Sequence, residues 1–138
     1  MNRTTNQSLG LTLGAIYALI GLAGFSVSGG HAFSGSSGGM FMDMFTVNAL
    51  SNLVSLVLGL AMLWAANDSA DRAKMMNTVV GVLCLVMAAI GMWGSASMNV
   101  MAMDSGANLL HLVTGVVLVV TALDLLRHVH WPRGATTA

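Results

Sequence analysis

The chain reads as an all-α membrane protein with four transmembrane helices, and three features of the sequence lead there. Four apolar stretches, each of roughly 20 residues and so long enough to cross a hydrocarbon core, alternate with shorter polar connections. Charged residues make up only 7% of the chain against 56% hydrophobic, with a mean hydropathy of +0.80, whereas soluble domains carry roughly 25% charged residues. All five Lys and Arg residues fall in three of the five non-apolar segments. Arg3 precedes the first stretch, Arg72 and Lys74 separate the second from the third, and Arg127 and Arg133 follow the fourth. Cytoplasmic loops collect Lys and Arg, so both termini are expected in the cytoplasm.

The 138 residues suit one domain, a single four-helix transmembrane unit over residues 1–138. The spans are expected at about 9–27, 47–66, 75–94 and 107–126, from the apolar window that a membrane requires. None contains Lys or Arg. Only helices or closed barrels satisfy the backbone in lipid, and the runs lack period-2 alternation and are too long for barrel strands. Span one resembles a signal segment in following Arg3, but its apolar run is long for that role, and it is expected to be retained. Trp64, Trp93 and Trp131 fall at span ends, as an interfacial aromatic belt requires. Between spans two and three, Asp68, Asp71, Arg72 and Lys74 are expected in a solvated turn. The only proline, Pro132, lies beyond the last span, where it kinks nothing.

Composition also excludes. A formal net charge of zero leaves no basic face for nucleic acid. The lone Cys84 forms no internal disulfide and, with no base beside it in sequence, is an unpromising nucleophile. No Ser/His/Asp arrangement, P-loop, dinucleotide fingerprint or paired in-span carboxylate is visible, so the chain is not expected to be an enzyme.

Spans two and four align without a gap: Asn52-Leu53-Val54-Ser55-Leu56-Val57-Leu58-Gly59 over Asn108-Leu109-Leu110-His111-Leu112-Val113-Thr114-Gly115. Spans one and three align with Gly14, Gly21 and Gly24 over Gly81, Ala88 and Gly91. Two copies of a helical hairpin, both entering from the same side, make a parallel repeat about the membrane normal. The stripes Gly14, Tyr17, Gly21, Gly24, Ser28 and Gly81, Cys84, Ala88, Gly91, Ser95 have the 3-4 spacing of one helix side. Small residues there let helices approach closely. Polar groups are costly in lipid, so Asn52, Ser55, Asn108 and His111 are expected to meet inside the bundle near its outer end.

These motifs resemble a bacterial membrane family. Asn108-Leu109-Leu110-His111-Leu112-Val113-Thr114-Gly115 is similar to the N-x-x-H-x-x-x-G signature of domain of unknown function 4383, and Asn48-Ala49-Leu50-Ser51-Asn52-Leu53-Val54-Ser55 to its first-copy motif. Gly14-x-x-Tyr17-x-x-x-Gly21-x-x-Gly24-Phe25 fits as well. The chain departs at Ser51 and Ser55, where the family pattern often has histidine. The resemblance implies four helices and a bacterial origin, and no reaction, ligand or partner. A bacterial inner-membrane location is expected with it.

Candidate chemistry gathers on the outer side. Met40, Met42 and Met44 precede span two, Met98, Met101 and Met103 precede span four, and His31 lies in the first of these loops. Thioether sulfur is soft and suits Cu(I), so these residues could hold copper. Methionine is also a flexible apolar filler and interface residue, and the favoured reading, with Phe41 and Phe45 in the same segment, is packing, a dip into the membrane interface or docking on a partner. His111 is a functional candidate because it is ionisable within a span, although Asn52, Asn108 and Ser55 are expected to satisfy it. His128 and His130, beside Arg127, Trp131 and Arg133, read as a cationic end touching anionic lipid. Asp124 and Arg127 are expected to pair with each other or with lipid headgroups. The favoured function is a non-catalytic accessory or scaffold subunit, associated with other membrane subunits or with itself. The alternative is extracytoplasmic Cu(I) binding or transport through the methionine loops.

Overall fold

Each helix begins where a polar side chain takes over its orphan N–H groups. Thr4 accepts from the Gln7 amide and Gln7 reaches back, closing a capping box ahead of α1 (Thr5–Ser28). Asn48 and Ser51 do the same for α2 (Ala49–Asp68). Ser69 caps α3 (Ala70–Trp93) and Asp104 caps α4 (Ser105–Ala122). The computed structural model describes residues 3–124. Four of its helices are long and apolar enough to cross a membrane. Two short strands, β1 (Gly39–Phe41) and β2 (Phe45–Val47), form an antiparallel hairpin between α1 and α2. A single 3-10 turn over Ala96–Met98 lies between α3 and α4.

Helix bounds differ from the apolar windows for physical reasons. The α2–α3 connection is Ser69 alone, extended in φ and ψ and serving both helices as a cap. Asp68 and Arg72 therefore belong to helix ends rather than a solvated turn, and they pair at 2.8 Å across the break. Arg72 also lies over the Trp64 ring, 5.3 Å from its centre. Lys74 reaches Asp124 at 3.4 Å rather than Asp71. The start of α2 falls after the window opens because Thr46 and Val47 belong to β2. Arg127, His128, His130, Trp131 and Arg133, with the last part of the fourth window, lie outside the described residues.

The bundle has two unlike ends. Arg3 donates to Asn67 and Gln7 to the Ala66 carbonyl, so the start of α1 sits beside the α2–α3 break. Arg3, Arg72 and Lys74, the Lys and Arg among the described residues, gather at this end. The other end carries the α1–α2 and α3–α4 connections and is called the capped end below.

Helices pack most extensively as the pairs α1/α2 and α3/α4. Glycine makes both contacts close. A Cβ on Gly59 would stand 2.6 Å from the Gly14 carbonyl oxygen, and one on Gly115 would stand 2.9 Å from that of Gly81. Further along each pair, Gly24 faces the Asn52 side-chain oxygen and Gly91 that of Asn108, each where a Cβ would collide. These two oxygens and that of Asn77 are buried without a conventional hydrogen-bond donor. Gly24 and Gly91 turn a Cα–H toward the Asn52 and Asn108 oxygens, and such C–H···O contacts recur at close helix interfaces.

Buried positions on α1 follow the expected stripe Gly14, Tyr17, Gly21, Gly24 and Ser28. On α3 the stripe ends early: Ser95 is exposed because the helix stops at Trp93. The central core is Tyr17, Met62, Val80, Cys84 and Leu118, and a second cluster of Phe45, Val47, Met103 and Ala107 lies under the capped end. Leu19, Leu22, Leu60, Val79 and Leu109 are exposed on the outside, as a lipid-facing surface demands.

Replacing Gly59 with alanine sets a methyl against backbone, which cannot move aside as a flexible side chain can. Overpacking of this kind costs roughly 1–3 kcal/mol. Gly59→Ala is expected to lower the midpoint of thermal or SDS-induced unfolding in detergent, whereas Gly29→Ala, with open space around it, is expected to leave it unchanged.

Candidate functional site

The capped end is built by two connections that fasten each other. Gly35 and Met101 form a parallel bridge, with the Gly35 amide donating to the Val100 carbonyl and the Ala102 amide to the Gly35 carbonyl, both at 2.8 Å. The helix caps reinforce it crosswise. Asn48, at the start of α2, donates from Nδ2 to the carbonyls of Gly35 (3.0 Å) and Val100 (2.9 Å). Asp104, at the start of α4, accepts from the Thr46 amide (2.7 Å) and hydroxyl (2.8 Å) on β2 while its other oxygen accepts from the Ala107 amide. Each cap thus holds the other hairpin's connection.

Burial pushes the Asp104 carboxyl upward, but the donors from Ala107, Thr46 and Gly106 outweigh it and hold the group below the usual carboxylate range. Hydrogen bonds to the charged form act in this direction.

Beneath this cap lies a cavity of about 20 Å³, bordered by Tyr17, Thr46, Ser51, Ser55, Met101, Met103 and His111 among others. That is room for about one water molecule. His111 is 7% exposed. Its Nδ1 lies 2.8 Å from the Ala107 carbonyl. A carbonyl only accepts, so Nδ1 carries the proton, and when the ring is neutral the lone pair is at Nε2. The expected partners Asn52, Asn108 and Ser55 are not the ones it uses, because the i−4 carbonyl of its own helix is nearer. Tyr17 meets the His111 ring edge-on, with centroids 6.2 Å apart.

The four expected polar residues divide among three places. Ser55 and His111 border the cavity. Asn52 turns into the α1/α2 seam and donates to Ser28 at 3.0 Å. Asn108 turns into the α3/α4 seam against Gly91. The six loop methionines divide too: Met40, Met42, Met44 and Met98 are exposed, Met101 is half-buried and Met103 is 8% exposed. His31 is exposed in the α1–α2 connection. Among the described residues, no three His, Cys, Asp or Glu side chains cluster as a metal site. Sequence reasoning missed Asn77, which is buried and donates to Asn6, and the cross-linking roles of Asn48 and Asp104. Their alignment, 56 residues apart and each opening a span, was the available signal.

The family described as Domain of unknown function (DUF4383) matches residues 7–123. The chain belongs to that family. The match takes in all four helices of the DUF4383 chain and both connections of the capped end. No curated protein matches it, and no solved structure does.

Because the folded-state value of Asp104 lies below that of an unfolded aspartate, about 3.9, its carboxylate stabilises the fold above that pH. The contribution disappears as pH falls through the folded-state value. Asp104→Asn, which keeps a cap but loses charge-assisted bonds, is expected to cost roughly 1–2 kcal/mol at neutral pH. It should also flatten the loss of thermal stability below about pH 4, read by melting the two proteins across a pH series.

Proposed function

We propose that this chain is a non-catalytic accessory or scaffold subunit of the bacterial cytoplasmic membrane, built into a larger membrane assembly or into a homo-oligomer. The observation that carries the reading is the tip of the β1–β2 hairpin. Met42 and Asp43 both take left-handed backbone angles, φ 52° and 56°, and the Met44 amide closes the turn on the Phe41 carbonyl. A solvated turn of this kind favours Asn-Gly. Here it presents Met42, 72% exposed, between exposed Met40 and Met44. Apolar side chains on a strained, well-fastened turn suit contact with something outside the chain. Their flexible thioethers adapt to a partner's surface.

The orientation follows from charge. With Arg3, Arg72 and Lys74 at one end, the positive-inside rule puts that end and both termini in the cytoplasm and the capped end outside. The proposed architecture is two copies of a helical hairpin, α1/α2 and α3/α4. Support comes from equivalent contacts at aligned positions: Gly14 with Gly59 and Gly81 with Gly115, then Gly24 with Asn52 and Gly91 with Asn108. Tyr17 and Cys84 also occupy aligned positions and meet at 3.6 Å between Oη and Sγ, as residues beside a pseudo-twofold axis do.

A second reading, extracytoplasmic Cu(I) binding, is favoured by one observation: Met101, Met103 and His111 border a single cavity.

Gentle detergent extraction from native membranes, followed by native mass spectrometry, tests the first reading. The wild type is expected to emerge with a fixed partner or as a defined oligomer. Replacing Met40, Met42 and Met44 with serine is expected to weaken that association at least tenfold while the melting temperature stays within a few degrees. A monodisperse wild-type monomer would overturn the proposal.

A further inference from the structure

We propose that His111, Met101 and Met103 form a binding site for one Cu(I) ion beneath the capped end, with the exposed methionines taking no part. The proposal rests on the Cu(I) reading above and assigns it a place. His111 supplies Nε2, a lone-pair nitrogen with no protein partner among the described residues, on a side chain bordering the cavity. The donation from its Nδ1–H to the Ala107 carbonyl is the arrangement that orients metal-bound histidines and raises their basicity.

The backbone that carries the two methionines is fixed before any ion arrives. Ala102, between them, is held at φ 52°, a left-handed angle that alanine seldom adopts. Its amide bonds to the Gly35 carbonyl at 2.8 Å. Asn99 clamps Met103 from both sides, accepting its amide at 2.7 Å and donating to its carbonyl at 2.8 Å. Strain at one residue, enforced on both flanks, sets Met101 and Met103 at the same cavity.

The donor set selects the ion. The residues bordering the cavity include no carboxylate and no thiolate, which disfavours Ca²⁺, Mg²⁺ and Zn²⁺. Two soft sulfurs and one imidazole suit a soft monovalent ion. The volume admits a single ion and excludes an organic ligand. The other side-chain hydroxyls there are engaged: Thr46 with Asp104, Ser51 with Asn48 and Tyr17 with Cys84. Ser55 and Nε2 are the side-chain groups there not already bonded to another residue, whereas Cu(I) finds three ligands.

The full chain in detergent, under anaerobic conditions, is titrated against Cu(I) held by a chromogenic chelator. The expected result is one Cu(I) per chain, with an X-ray absorption first shell of mixed nitrogen and sulfur. Met101→Leu/Met103→Leu, a swap of similar volume, and His111→Gln are each expected to weaken retention at least a hundredfold, with circular dichroism verifying the fold. Met40→Leu/Met42→Leu/Met44→Leu is expected to retain wild-type binding. Full retention by the folded Met101/Met103 variant, or loss in the hairpin variant, would overturn this site while leaving the protein a copper binder. Absence of binding by the wild type would overturn both the site and the Cu(I) reading.

Discussion

Two membrane helices gain nothing by hiding apolar side chains from each other, since lipid is as apolar as leucine. What remains is close contact and polar pairing, and the architecture depends on that constraint. Within each hairpin, glycine brings backbones together, Gly14 to Gly59 and Gly81 to Gly115. One turn or more beyond, an asparagine keys into a second glycine, Asn52 at Gly24 and Asn108 at Gly91. The fit is mutual. The asparagine oxygen is tolerable without an N–H donor because a glycine C–H lies against it, and the glycine cannot be enlarged because the oxygen is there. Dense seams of small residues leave bulky side chains such as Leu19, Leu22, Leu60, Val79 and Leu109 for the lipid face.

With the seams settled, the two ends of the bundle take different forms. At the charged end a single extended serine turns the chain, and Asp68, Asp71, Arg72 and Lys74 gather about that break. The capped end has long connections and solves a harder problem, because its loop backbones need partners where water is scarce. Asn48 and Asp104 solve it by doing two jobs each. They cap their own helices and bind the other hairpin's connection. The crossed arrangement ties together two hairpins whose helices contact each other less extensively than they contact their own partners.

The same crossed caps sort the methionines. Fastened by Thr46 to Asp104, β2 carries its hairpin tip outward with Met40, Met42 and Met44 exposed. Fastened by Gly35 and Asn99, the second connection turns Met101 and Met103 inward to His111. One residue type therefore occupies two settings at one end of the protein, an exposed hairpin tip and the wall of a cavity. The difference comes from backbone conformation rather than side-chain chemistry.

Much of the fold was legible in the sequence. Hydropathy marks the four spans because lipid tolerates no unsatisfied backbone, and the 3-4 spacing of Gly14, Tyr17, Gly21 and Gly24 marks the packed side of α1 because small residues there are what packing requires. Clustering of Arg3, Arg72 and Lys74 in inter-span segments foretold one charged end. Which polar residues share a cavity was not legible, since a helical stripe gives a direction but not a partner. Asn52, Ser55, Asn108 and His111 share aligned stripes, yet only Ser55 and His111 meet the cavity, because glycines on α1 and α3 draw the two asparagines into the seams. Nor could loop composition separate inward from outward methionines. That division follows from left-handed turns at Met42 and Ala102 and from hydrogen bonds between segments more than 50 residues apart, contacts that exist only once the four helices stand side by side.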